Sequence, residues 1–345
     1  YSSTFEDLIK SRQLMHEQNR EISKARRQLV KLAYRDELSN LPNQQKFARK
    51  LDGLIAGKRS NSKPLFIGVI GLNGYKVINN AYGYDTGDQI LAKVARRLRT
   101  AMVGHGIVAR HDGDQFSLIM TSAKDSDEAV EFAARLCADL ERPYQIDQRS
   151  ALLSASCGIS CFPENGRDTE TLVSRAIYAL HHVKAQANET VSLFTQLHES
   201  DIQERSRIEQ ALRHAIAKGE FNVVFQPIVD LKTRKIASCE ALARWEDDEL
   251  GVIPPDLFIA IAEKSGVISE LTYLLLEDAA RAATTWPSEI MLSFNMSAQE
   301  VVNPTAGLRV LTILNDAGLD SRRFEIEITE TALLANFEAA QATIR

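Results

Sequence analysis

No stretch of this chain approaches the roughly 18 consecutive apolar residues that a membrane-spanning helix needs, and its start lacks the pattern of a secretory leader. Basic residues are not in excess either. There are 41 Lys and Arg against 46 Asp and Glu, a net charge of -5, which gives no reason to expect nucleic acid as a partner. Cysteine is scarce: Cys137, Cys157, Cys161 and Cys239 stand without histidines at metal-ligand spacing. Cys157 and Cys161 share one face of a strand-like stretch but lie roughly 13 Å apart at strand rise, too far for a disulfide. Reduced, structural thiols and a cytoplasmic setting are the expectation. What remains is ordinary for a globular protein. At 345 residues, 44% hydrophobic and 25% charged, the chain has room for two domains.

Glycine and proline are also missing from Thr4 to Ala33, where Leu8, Met15, Ile22 and Leu29 recur every seven residues. The complementary positions, Ser11, Gln18, Ala25 and Leu32, are mostly polar or small. A weak parallel stalk over residues 1–34, joining two copies as a homodimer, and a single amphipathic helix packed on its own domain both account for this pattern. The first residue is Tyr1, so a longer parent protein is expected.

Three stretches then carry strong local signals. Leu65 to Ile70 is a continuous apolar run bounded by turn residues, the pattern of a buried central strand. Gly106 to Met120 places an Asp-Gly turn between two runs of strand formers, which predicts a hairpin with Asp112 and Asp114 at its tip. Those carboxylates either serve the turn alone or hold a divalent cation against a phosphate. Between the two, Asp88 precedes Leu91, Val94, Ala95 and Leu98 at helical spacing and reads as an N-cap, and Asn79 reads as a turn residue.

These stretches resemble the GGDEF family of diguanylate cyclases. RHDGDQF, from Arg110 to Phe116, resembles its signature hairpin, with Gly113, Asp114 and Phe116 matching, Asp112 in place of the first glycine and Gln115 in place of the glutamate. RDELSNLPN, Arg35 to Asn43, resembles the opening segment, and GLNGYKVINNAYGYDTGDQIL from Gly71 resembles the block after the central strand. The resemblance implies that Asn79 and Asp88 read guanine, so recognition of GTP survives. It also implies three losses. Gly71 and Asn73 stand where active members carry acidic residues toward the metal, Gln115 replaces the signature glutamate, and in AIYALHHVKAQAN the triphosphate-holding basic positions fall on His181 and Ala185. Lys184 is one residue out of register, a turn of about 100° on a helix. The product-inhibition motif is absent as well, since Val103 to Gly106 reads VGHG.

Further on, Asp201 to Lys218 has a capping Asp201, Glu204 three residues later, an apolar stripe and a Gly219 stop, which predicts a helix opening a second domain. Strands are predicted near Asn222 to Val229, Lys235 to Trp245, Ile290 to Met296 and Arg323 to Thr329, with helical patterns between the later ones. That order suggests a parallel β/α barrel. Glu240 shares a face with Leu242 and Arg244, Asn295 with Ser293, and Glu327 with Glu325. On the wet side of an antiparallel sheet these groups would need no explanation; in a closed barrel they would be costly unless a metal held them.

QPIVDL, EALARW, SFNMSA and EITETAL, in that order, resemble the signature segments of the EAL family of cyclic di-GMP phosphodiesterases. The resemblance implies that Glu240, Asn295 and Glu327 bind Mg²⁺ or Mn²⁺, that Gln226, Leu242 and Arg244 contact the dinucleotide, and that Glu330 supports the site. The chain stops at Arg345, before that family's paired aspartates, catalytic lysine and later glutamate, and from Asp201 onward it holds fewer than the about 250 residues of a β/α barrel. The expected fold is therefore α/β. An α+β, cyclase-palm-like GGDEF domain over 35–197 precedes the first part of a TIM-type EAL barrel over 201–345. The expected function is cyclic di-GMP hydrolysis to the linear dinucleotide by the complete EAL domain, regulated by a cyclase domain that no longer synthesises. A receptor binding cyclic di-GMP without turnover and a residual cyclase are the rivals.

Overall fold

Strand β1, Leu65–Asn73, is buried along all but its last residue, as its apolar run predicts. The computed structural model describes residues 33–58, 63–146, 149–186 and 189–328. The heptad positions up to Leu32, and Glu330, lie outside them. The chain divides into two units, Tyr1–Glu199 and Ser200–Arg345.

In the first unit, helix α1 (Gln44–Ala56) precedes β1, and helices α2 (Tyr75–Tyr82) and α3 (Tyr84–Ala101) follow it. Then come β2 (Gly106–Asp112), β3 (Gln115–Met120), α4 (Ser126–Leu140), the small pair β4 (Tyr144–Ile146) and β5 (Arg149–Ala151), β6 (Ser154–Phe162), α5 (Thr169–Lys184) and β7 (Val191–Leu193). The sheet order is β2-β3-β1-β6-β7, with β1 antiparallel to both neighbours. Side chains of β1 alternate between two faces. Phe66, Ile70 and Leu72 pack with Ile90, Leu91, Val94 and Leu98 of α3. Leu65 and Ile67 meet Phe47 and Leu51 of α1, and Val69 meets Ala176, Leu180 and Val183 of α5. Each such burial contributes about 1.5–3 kcal/mol, so the register of β1 is firmly set, and by the same alternation position 71 faces α5.

Two expectations in this unit fail. Asp88 is not an N-cap: α3 begins at Tyr84, because Gly83, at φ 85°, makes the break between α2 and α3, and Asp88 lies inside the helix. Asn79 is not in a turn but within α2.

The second unit is reached along α6, Gln196–Lys218, which starts before the expected cap Asp201 and ends at Gly219, φ 68°. It continues with β8 (Phe221–Val229), β9 (Ile236–Asp247), β10 (Gly251–Ile253), α7 (Pro255–Ser265) and α8 (Ile268–Ala283). The remaining elements are β11 (Met291–Asn295), the short α9 (Ala298–Val301), α10 (Ala306–Ala317) and β12 (Phe324–Glu327). Strands β9, β11 and β12 are parallel neighbours, as expected. Strand β8 instead runs antiparallel to β9. A short turn joins them, in which Asp230 accepts from the backbone of Lys232 and Thr233, and so short a connection cannot make a parallel crossover. Trp245, Phe221 and Phe258 form an aromatic centre with ring centroids 5.5 to 5.9 Å apart. Among the described residues this sheet is open rather than closed into a barrel. No helix among them is long and apolar enough to cross a membrane, and all four cysteines are free.

Candidate functional site

The first unit presents a polar patch where β1 ends and the β2–β3 hairpin turns. Gly113 takes φ 48°, Asp112 pairs with Gln115, and the backbone N–H of Leu72 donates to the Asp114 carbonyl at 3.2 Å, so the hairpin tip is tied to the central strand. Arg110 reaches over the Phe116 ring at 5.1 Å and donates to the Gly113 carbonyl, while its Nε and Nη1 are buried without a partner. Asp112 is exposed, and Asp114 and Gln115 are half-buried.

Asn79 turns its amide toward Tyr75, and its Oδ1 is buried with no hydrogen-bond partner. Burial raises the Tyr75 hydroxyl pKa, the hydrogen bond with Asn79 opposes this, Asp88 and Asp114 push it further up, and Arg110 pulls it down. These five groups therefore form one electrostatic cluster. Gly87 makes it possible: a Cβ there would lie 1.8 Å from Asn79 Oδ1 and 2.8 Å from the Tyr75 hydroxyl. Neither Tyr75 nor Gly87 was marked by sequence reasoning, although a glycine inside a helical pattern is a signal of close approach.

The positions expected to have lost their carboxylates are filled otherwise. Asn73 donates to the hydroxyls of Ser154 at 3.2 Å and Ser156 at 3.0 Å. At Gly71 a Cβ would lie 2.7 Å from the Lys184 ammonium, which donates to the Leu72 carbonyl at 3.4 Å. His181 is exposed on α5, and Ala185 caps that helix.

His111, in the hairpin, shares a hydrogen bond with Ser117 Oγ at 3.0 Å. Burial holds its pKa below the ordinary value of about 6.5, against the pull of Asp112. The unfolded chain takes up this proton more readily than the folded one, so the stabilisation is complete above about pH 6.5. It is lost as pH falls from there through the folded value. Thermal melts at pH 7.5 and 5.5 are expected to show a smaller acid-induced drop in His111→Gln than in the parent; an equal drop would exclude the effect.

In the second unit, the polar side chains gather on one face of three parallel strands. Asn295 Nδ2 donates to Glu240 Oε1 at 2.6 Å, and Ser293 Oγ donates to Glu327 Oε1. The registers Ser293 to Glu240 and Asn295 to Glu327 bring residues from β9, β11 and β12 together, and Gln226 of β8 pairs with Glu240. A cleft of about 780 Å³ at the carboxyl ends of β9 and β11 is lined by Leu242, Arg244, Asn295 and Met296, with α7 and α8 on its other side. Arg244 is exposed, its Nη1 donating to the Ala243 carbonyl at 2.8 Å. Two carboxylates and a carboxamide oxygen on adjacent strands are a donor set of the kind that a hard divalent cation takes. Glu240 lies opposite Ser293 rather than opposite Asn295, so the Glu240–Asn295 bond is diagonal across the two strands.

The family model described as diguanylate cyclase, GGDEF domain, matches residues 33–190, and the EAL domain model matches residues 209–345. The chain carries a GGDEF domain and an EAL domain in tandem. Among its relatives are the uncharacterized protein y4lL of Sinorhizobium fredii, 33% identical over 93% of this chain and 39% of that protein, and the cyclic di-GMP phosphodiesterase PdeR of Escherichia coli, 28% identical over 93% and 49%. The chain thus spans less than half the length of these curated relatives. Vibrio cholerae LapD, solved as S helix-GGDEF-EAL bound to c-di-GMP, shares the fold at a TM-score of 0.64 and 18% identity, covering 94% of this chain and 76% of that one.

Proposed function

We propose that this GGDEF and EAL pair belongs to cyclic di-GMP signalling. Its EAL domain, in the full-length protein, hydrolyses cyclic di-GMP to linear pGpG, and its GGDEF domain regulates without synthesising. The observation that carries the reading is the convergence of Glu240, Asn295 and Glu327 from three adjacent parallel strands, with Asn295 lining the same cleft as Arg244. PdeR, named a cyclic di-GMP phosphodiesterase, supports it.

Glu240, Asn295 and Glu327 would hold Mg²⁺ or Mn²⁺, which supplies an activated water and neutralises phosphate charge when bound. Glu330 would support that set. Arg244, on the exposed end of β9, pairs with a phosphate through two parallel N–H groups. Leu242 gives the base or sugar an apolar wall in the cleft, and Gln226 offers an amide to the dinucleotide from the neighbouring strand. In the GGDEF domain, Asn79 and Asp88 bind the guanine of GTP: Asn79 Oδ1 is buried and unpartnered, an acceptor in want of a donor. Synthesis is lost because Gly71 and Asn73 bring no carboxylate to Asp114, and Gln115 brings none to the hairpin. The proposed homodimer rests on the stalk alone, outside the described residues.

The test is chromatography of cyclic di-GMP incubated with full-length protein in Mn²⁺, in Mg²⁺ and in EDTA. Linear dinucleotide that forms only with metal supports the phosphodiesterase; tight binding without turnover would favour a receptor.

A further inference from the structure

Glu300 is the only Asp, Glu, Lys or Arg side chain that is buried among the described residues, at 1% exposure. It stands on the short helix α9, five residues after Asn295, and has no part in the proposed reaction. One carboxylate oxygen accepts from the Ser269 hydroxyl and the other from the Tyr273 hydroxyl. Both donors sit on α8, four residues apart, so a single helix face supplies them. Among the described residues no ion pair accompanies these bonds; the Arg309 guanidinium instead covers the Tyr273 ring at 3.9 Å. Burial and Glu300 both raise the Tyr273 hydroxyl pKa, with Arg309 opposing, so the hydroxyl stays a donor. Burying charge is costly, and exchanging buried ionic groups for apolar ones of similar volume is often neutral or stabilising. Stability alone is therefore a poor account of Glu300.

Its place in the chain supplies a better one. Asn295 ends β11 and pairs with Glu327 of β12, but the ladder to β9 stops one residue earlier, where Phe294 meets Ala241. The Met296 N–H then donates to the Glu327 carbonyl at 3.0 Å. Beyond that bond α9 is fixed to helices instead of the sheet. Gln299 Nε2 donates to the Glu263 carbonyl of α7 at 3.2 Å, Glu300 docks on α8, and the Ser297 hydroxyl accepts from the Glu300 N–H at 3.4 Å. The exit of β11 is thus held between β12 on one side and α7 and α8 on the other, with Met296 and Ser297 lining the cleft between. Gln299 is exposed, whereas the Glu300 bonds are shielded from water and stronger for it.

We infer that Glu300 is a positioning residue: by locking α9 onto α8 it fixes the end of β11, and so holds the Asn295 carboxamide in the metal-binding set. This rests on the reading that Glu240, Asn295 and Glu327 hold a divalent cation. With Asn295 Nδ2 donating to Glu240, Oδ1 is the atom left for the cation, and an ion that demands near-ideal octahedral geometry tolerates little displacement of it. The role needs the two hydroxyl contacts, not the negative charge.

Titration of Mn²⁺ into metal-free full-length protein tests the inference without reference to turnover. Binding is read by loss of the free-ion electron paramagnetic resonance signal, and the component that Glu240→Ala removes is taken as the EAL site. Glu300→Leu is expected to weaken that component by about tenfold, the low end of the range for an outer partner of a metal ligand. Glu300→Gln should stay within about twofold of the parent, because its carboxamide accepts from one hydroxyl and donates to the other. Tyr273→Phe keeps the ring under Arg309 and removes one donor. It should weaken binding by about threefold, and it carries the test if Glu300→Leu does not fold. Unchanged Mn²⁺ affinity in Glu300→Leu and Tyr273→Phe would overturn the inference. So would equal losses in Glu300→Leu and Glu300→Gln, which would assign the effect to charge. Both results leave the metal reading standing. If Glu240→Ala removes no Mn²⁺ binding from the parent, that reading falls, and the inference with it.

Discussion

Glu240→Ala in the full-length protein is expected to lower the rate of cyclic di-GMP hydrolysis by more than about 100-fold, since loss of even an outer-shell partner of a metal typically costs 10–100-fold. The substitution removes one of two carboxylates from the proposed donor set and leaves the Asn295 amide without the acceptor it holds at 2.6 Å. It should do so without unfolding the domain, because Glu240 is only half-buried and lies outside the hydrophobic core that holds the aromatic centre. Glu327→Ala should fall in the same way, and the double variant little further, as groups that act as a unit are not additive. Initial rates of linear dinucleotide formation, with melting temperatures as the control for folding, decide the matter. A variant within tenfold of the parent would remove Glu240 from the reacting site.

The largest effect on stability is expected at Gly158. Strand β6 passes so close to α5 there that a Cβ would lie 2.1 Å from the Ala176 carbonyl oxygen and 2.2 Å from the Leu180 nitrogen, both backbone atoms of buried helix residues. Neither can yield without moving the helix, so Gly158→Ala should cost about 3 kcal/mol or more and lower the melting temperature of the GGDEF domain by about 10 °C. Gly68→Ala is the matched control. Its Cβ would meet the Leu118 side chain at 3.3 Å, a contact that a rotamer change relieves. Calorimetric scans of both variants are expected to separate them clearly, and equal stability would show that α5 can shift away from the sheet.

Signals that depend on neighbouring residues were legible in the sequence. The apolar run of β1 and the Asp-Gly turn of the hairpin appear where their patterns put them, and Gly219 ends α6 as a left-handed stop. Positions governed by a single backbone break were harder. Asp88 has every local feature of a cap, yet Gly83 breaks the chain five residues earlier and starts α3 there. Direction in the EAL sheet was legible only where helices intervene: β9, β11 and β12 are parallel, whereas the turn closed by Asp230 reverses β8. Lys184 was the least legible. Its register number places it a residue away from the position that would matter, but a four-carbon stem on the last helical turn reaches the volume Gly71 leaves empty, and side-chain length is not counted in sequence spacing. Tyr75 and Gly87 join the site for the same kind of reason, through packing rather than pattern.

In the proposed division of labour, one domain hydrolyses cyclic di-GMP and the other reads guanine nucleotide without joining two of them. One reaction tests this directly: full-length protein incubated with both GTP and cyclic di-GMP in Mn²⁺, every nucleotide quantified over time by chromatography. The prediction is that cyclic di-GMP falls, pGpG rises in equal amount, GTP stays constant, and the rate differs from that in a parallel reaction without GTP. Consumption of GTP with net formation of cyclic di-GMP would contradict the account.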